Sequence, residues 1–197
     1  MSILKNQNIK NIKKELLSDN WYTLNKFTFD YQKNDGTWET QHREVYNCGD
    51  AAAVLIFNEE KNKLILTRQF RMPVHCNDKN IGMMIEVCAG LLEGDTPEVC
   101  ARKEAIEETG YKLDKIEKVF EAYMVPGTVT QKVHFFTAVC TNNMRIGYGG
   151  GAENETENIE VLEITFTKAL EMIKSGEIND AKTIMLLQYA QNVQLFK

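Results

Sequence analysis

The stretch that opens Gly90-Leu91-Leu92-Glu93-Gly94-Asp95-Thr96-Pro97 and runs through an acidic segment to Gly110-Tyr111 constrains this chain more than any other. Thr96 suits the N-cap of a helix, and Pro97 the first helical position, where its missing N–H costs nothing. Glu98 places a carboxylate in the first turn, and Gly110 is a stop signal. Between them Glu104, Glu107 and Glu108 stand at i, i+3 and i+4, so the spacing predicts three carboxylates on one exposed helix face, about 5–6 Å apart. Such a cluster repels itself unless a positive charge lies within it. A hard divalent cation such as Mg²⁺ meets that need, because it binds through a few carboxylates together with waters and phosphate oxygens.

The run Lys103-Glu104-Ala105-Ile106-Glu107-Glu108-Thr109-Gly110 after a glycine-rich loop resembles the Nudix box. That pattern is Gly, five residues, Glu, seven residues, then Arg-Glu-U-x-Glu-Glu-x-Gly-U with U apolar. This chain has Lys103 in place of the Arg and Asp95 in place of the first Glu, and the loop from Gly90 to Asp95 is one residue short. The ending with the carboxylates is intact. The resemblance implies that Glu104 and Glu108 ligate Mg²⁺, with Mn²⁺ able to substitute. It also implies that Glu107 assists and that the backbone carbonyl of Ala89 supplies a further oxygen.

Length and charge bound the rest. At 197 residues the chain suits one domain with a small appendage, and 43% hydrophobic with 26% charged residues is ordinary for a globular protein. A net charge of −5 without a basic run argues against a nucleic-acid binder, yet leaves a nucleotide substrate open. The five cysteines form no C-x-x-C pair and read as buried hydrophobes in a reducing compartment. No stretch approaches a signal peptide or a membrane span, so a cytoplasmic protein is expected.

Along the chain, residues 3–17 read as a strand followed by a short helix. Phe27, Phe29 and Tyr31 alternate up to an Asp35-Gly36 turn, and residues 37–46 close the hairpin. Residues 1–45 thus form an antiparallel β unit too small to bury both its faces, and 46–197 the main domain. In that domain strands are expected at 51–57, 63–67, 83–89, 116–124, 132–140 and 159–166, and helices at 169–175 and 181–192. The fold class is α/β (α+β), which by the resemblance is a Nudix α-β-α sandwich with a mixed sheet. Residues 147–158 form a glycine-rich acidic loop, and flexibility combined with carboxylates suits a closing catalytic loop. His42, His75 and His134 share no ligand spacing, and no nucleophilic triad is visible.

The resemblance extends from the box across nearly the whole chain to the sugar-nucleotide pyrophosphatase branch of the family, of the type that acts on GDP-mannose. It implies Mg²⁺-dependent cleavage of a nucleoside diphosphate sugar, GDP-mannose giving GMP and mannose 1-phosphate. Two alternatives are an ADP-ribose pyrophosphatase and a non-catalytic nucleotide-binding regulator. It makes Glu155, with Glu153 as its rival, the loop carboxylate that ligates metal or activates water, with Asn154 between them on the substrate. It implies substrate contacts from Arg71 and Lys182, from Ala89, Gly90 and Leu91 of the box loop, and from Gln131 after Pro126-Gly127. The partner implied is a second copy of the chain, a homodimer through the N-terminal β unit, with Trp21, Arg43 and Glu44 reaching the substrate. No nucleic acid or membrane partner is expected.

Overall fold

A computed structural model describes residues 8–152 and 156–196. The chain divides into two units, one formed by the residues up to Gly49 with Tyr123–Lys132, the other by Asp50–Ala122 with Val133–Lys197.

In the first unit three antiparallel strands, β1 (Ile9–Asp19), β2 (Thr23–Gln32) and β3 (Trp38–Asn47), lie in sequence order. The Asp35-Gly36 turn behaves as its composition predicts: the Asp35 carboxylate accepts from the Thr37 N–H at 2.9 Å and its hydroxyl at 2.6 Å, and Gly36 sits at φ 86. The helix expected toward residue 17 is absent, because β1 continues as strand to Asp19. Two register shifts, between Lys10 and Lys13 and between Leu16 and Ser18, break the two-residue alternation of β1. Ile9, Ile12 and Leu16 therefore mimic a helical stripe while the backbone pairs with β2. The Pro126-Gly127 segment is strapped along β3, with Tyr46 N–H donating to Thr128 O at 2.8 Å and Thr130 N–H to Tyr46 O at 3.1 Å.

The second unit is built on a mixed seven-stranded sheet in the order β10-β5-β4-β9-β8, with β6 added to β5 and β7 to β4. These are β4 (Ala51–Asn58), β5 (Lys63–Phe70), β6 (Met83–Glu86), β7 (Cys88–Leu91), β8 (Glu117–Tyr123), β9 (Lys132–Cys140) and β10 (Glu160–Ile164). All of β4 is buried and runs parallel to β9. Its small and apolar residues are what a strand covered on both faces requires. Ala52, Val54 and Ile56 form a core with Cys100 and Ala101 of helix α2 (Pro97–Glu104). Helix α4 (Ala181–Asn192) also packs against β4. Each large aliphatic or aromatic side chain buried there contributes roughly 1.5–3 kcal/mol. A short helix α1 (Met72–Asn77) that the sequence reading lacked follows β5, and α3 (Phe166–Ser175) precedes α4.

Residues 83–89 form two strands rather than one, since β6 pairs with β5 and β7 with β4. Val87 falls at the switch, and its N–H donates to the Thr183 hydroxyl of α4 at 2.8 Å.

Candidate active site

The Thr96 hydroxyl accepts from the Val99 N–H at 3.4 Å, and Pro97 opens α2, as the local chemistry predicts. The helix then changes winding. Residues Ala105–Thr109 form a π-helical turn that Gly110 ends in the left-handed region at φ 79. The widened turn leaves carbonyls for another partner to satisfy, and the glycine-rich loop supplies it. Gly150 N–H donates to Glu108 O and Gly151 N–H to Glu107 O, both at 3.0 Å. A side chain on Gly149 would meet Glu108 O at 2.4 Å, so this backbone-on-backbone seam needs glycine.

The carboxylates of the box differ from the expected exposed row. Glu104 and Glu107 are half-buried, but Glu108 is 1% exposed. Its Oε2 accepts from the Ala89 N–H at 3.1 Å and its Oε1 from Gln69 Nε2 at 3.5 Å. Burial pushes the Glu108 carboxyl up to about 8, and nearby Glu104 and Glu157 push the same way, against hydrogen bonds from the Cys88 thiol and Ala89. Glu104 lies flat against the box loop, where a Cβ on Gly90 would be 2.0 Å from its Oε1. The Cys100 thiol ties that loop to α2 by donating to Leu91 O at 3.3 Å and Gly90 O at 3.6 Å.

Among the described residues no three His, Cys, Asp or Glu side chains are arranged to hold an ion by themselves. Glu104 and Glu108 nevertheless suit a hard cation, because two adjacent carboxylates, one of them desolvated, are relieved by a positive charge. Backbone, water or phosphate oxygens can complete the shell.

A second polar group lies in the same unit. Arg71 donates to Glu86 from Nε at 2.7 Å and Nη2 at 3.1 Å, while Lys182 Nζ stands 3.1 Å from Glu86 and 2.8 Å from Asp180. Glu108 also contributes to the electrostatic hold on Arg71, so the two groups of charges sense each other.

Of the candidates, Arg71, Ala89, Gly90, Leu91, Glu104, Glu107, Glu108 and Lys182 fall in this unit. Trp21, Arg43, Glu44 and Gln131 belong to the first unit. There Trp21 is 83% exposed, Arg43 donates to His42 O at 2.7 Å and Gln41 Oε1 at 3.0 Å, and Glu44 faces Lys26 across the ladder. Glu153, Asn154 and Glu155 lie outside the described residues. Glu157 does not, and its carboxylate rests against Gly151, where a Cβ would meet Oε2 at 2.7 Å. Neither Glu157 nor Gln69 was among the sequence candidates. Glu157 carried only the general signal of an acidic loop, and Gln69 none beyond its place near a strand end.

A NUDIX domain matches residues 49–187, and the GDP-mannose pyrophosphatase NudK N-terminal domain matches residues 8–46. A GDP-mannose pyrophosphatase of Escherichia coli O139:H28 is 50% identical over 96% of this chain and 98% of its own. One of Shigella flexneri is 51% identical over 94% of this chain and 96% of its own. A crystal structure of an ADP compounds hydrolase, 15% identical, superposes with TM-score 0.74 over 98% of this chain and 96% of that one, a likeness of fold.

Proposed function

The chain belongs to the Nudix family and is a Nudix pyrophosphohydrolase, and on that premise we propose that it hydrolyses the pyrophosphate bond of GDP-mannose to GMP and mannose 1-phosphate with Mg²⁺. The observation that carries the substrate is the 50% identity to a GDP-mannose pyrophosphatase across 96% of the chain, since it runs through both units. The chemistry rests on Glu104 and Glu108, aligned beside the box loop. Nudix hydrolases generally use a divalent metal. Glu104, Glu108, the Ala89 carbonyl and Glu155 of the acidic loop would hold Mg²⁺ (or Mn²⁺), which when bound neutralises phosphate oxygens and lowers the pKa of a bound water.

The residues around that site orient and bind. The Ala89 N–H and Gln69 fix the Glu108 carboxylate, and Gly90 leaves room for Glu104. Arg71 and Lys182 offer cationic donors to phosphate oxygens, Arg71 in the planar geometry that suits them. Glu155, or its rival Glu153, would take a proton from the attacking water, with Glu107 assisting. Catalysis of this kind is mostly alignment and charge stabilisation.

GDP-mannose should exceed ADP-ribose in kcat/KM in a Mg²⁺ assay of phosphate released by added phosphatase. Contacts to base and sugar that end as unpaired polar groups in the wrong complex discriminate by roughly 10⁴-fold, apolar ones by only about 10–200-fold. ADP-ribose as the better substrate by tenfold or more would sink the GDP-sugar assignment while leaving the Nudix chemistry standing.

We assign residues 1–45 as the pairing unit and 46–197 as the hydrolase domain of a homodimer. Support comes from β1, exposed along nearly its whole length, with Ile12 and Leu16 showing apolar surface at 56% and 57%, and from Trp21 in the turn after it at 83%. Light scattering at micromolar concentration should give twice the 22.6 kDa chain mass. A fully active monomer would refute the assignment and return Trp21, Arg43 and Glu44 to ordinary surface.

A further inference from the structure

Glu86 is a charged side chain at the end of a core strand, only 4% exposed, and three donated hydrogen bonds converge on it. Its Oε1 takes Arg71 Nε, and its Oε2 takes both Arg71 Nη2 and Lys182 Nζ. Arg71 follows β5, and Lys182 stands in the first turn of α4, 96 residues beyond Glu86. The backbone is locked at the same place. Val87 N–H donates to Thr183 Oγ1 at 2.8 Å, and Thr183 in turn donates from N and Oγ1 to Asp180 Oδ2 at 2.9 and 2.7 Å. Asp180 Oδ1 holds Lys182 from the other side at 2.8 Å.

We propose that Glu86 is a positioning residue that binds Arg71 and Lys182 to one buried carboxylate and thereby presents them together, as a preformed pair of cations, to the phosphates of a nucleoside diphosphate substrate. The inference rests on the reading that Arg71 and Lys182 meet that substrate. Two free cations of like charge repel, and each long side chain carries rotamer entropy that an anion would have to freeze. With both tied to Glu86, most of that cost is met on folding, so the anion meets donors already ordered. The chemistry leaves donors to spare. Glu86 uses two of the five N–H groups of the guanidinium, and Glu86 with Asp180 uses two of the three on Lys182.

The test is a thermodynamic cycle read by calorimetric titration of inorganic pyrophosphate in EDTA, which needs neither turnover nor metal. Glu86→Gln should weaken pyrophosphate about tenfold in the otherwise wild-type protein, and less than twofold when Arg71→Ala and Lys182→Ala are already present. In the GDP-mannose assay the same variant should act mainly on KM. Equal weakening in both backgrounds, or none in either, overturns the proposal, because a residue that only supports the fold would not lose its effect when the two cations are gone. Removing one partner of a buried ion pair can unfold a protein. If Glu86→Gln does not melt cooperatively, Glu86→Asp keeps the charge and is put through the same cycle, where an intermediate loss of the same non-additive form is expected and an additive one overturns the idea. Wild-type protein that binds pyrophosphate with this coupling yet hydrolyses no nucleoside diphosphate sugar would refute the proposed activity and leave the role of Glu86 intact.

Discussion

Glu108→Gln is expected to lower kcat/KM for GDP-mannose by about 10³-fold, roughly 4 kcal/mol of transition-state stabilisation, without unfolding the protein. The expectation follows from where the carboxylate is held. Glu108 is buried, accepts from the Ala89 N–H, and is pushed up to about 8 chiefly by burial. A glutamine of the same shape keeps an acceptor for Ala89 and is neutral, as the buried carboxyl mostly is at pH 7 without a cation, so the melting temperature in EDTA should hold. What it loses is the negative oxygen that a cation requires. Glu104→Gln, at a half-buried position, should behave likewise. The measurements are kcat and KM at saturating Mg²⁺ beside a thermal melt. Near-normal kcat in either folded variant would remove the carboxylate site from the mechanism.

Gly90→Ala is the second large effect, and its cause is purely spatial. Gly90 is not among the glycines at positive φ, so alanine meets no backbone strain there. Its methyl carbon would instead lie 2.0 Å from Glu104 Oε1 and 2.1 Å from Cδ. The far end of a flexible side chain can move away, so stability should change by less than about 1 kcal/mol, while the carboxylate moves by an ångström or more. A displacement of that order can cost about 10²-fold in rate. We expect kcat to fall by that factor and Mn²⁺, followed by its electron paramagnetic resonance signal, to bind more weakly, with an unchanged melt. An alanine variant with full activity and normal Mn²⁺ affinity would show that Glu104 does not need the seat that Gly90 provides.

Those two residues show how differently sequence and structure contribute. Glu104 and Glu108 stand out in the sequence because their spacing is a property of the helix itself. That Glu108 turns into the protein and Glu104 lies on Gly90 depends on β7, a neighbour that no helical pattern describes. The π-helical turn escapes the sequence for a similar reason. Its carbonyls at Glu107 and Glu108 are satisfied by Gly151 and Gly150, so the winding is stabilised from a distant loop. Arg71 and Lys182 are each recognisable as candidate phosphate ligands, but nothing in the chain says that one carboxylate holds both.

The sequence by itself determined the features that act over a few residues. These are the Thr96 cap with Pro97 after it, the Gly110 stop, the Asp35-Gly36 turn, and the apolar β4 whose composition requires cover on both faces. The cap, the stop and the turn depend on hydrogen bonds or steric limits within about one turn of chain, and β4 is marked by its own unbroken apolar composition, so residue type and spacing suffice. Tertiary structure alone decided the break at Val87, the continuation of β1 as a strand, the strapping of Thr128 and Thr130 along β3, and the joining of Glu86 to Lys182. In each of these a backbone or charged group finds its partner on another element, β1 on β2, β3 on the Thr128–Thr130 segment, and β6 and Val87 on α4, and the energy of that pairing exists only once those elements lie together.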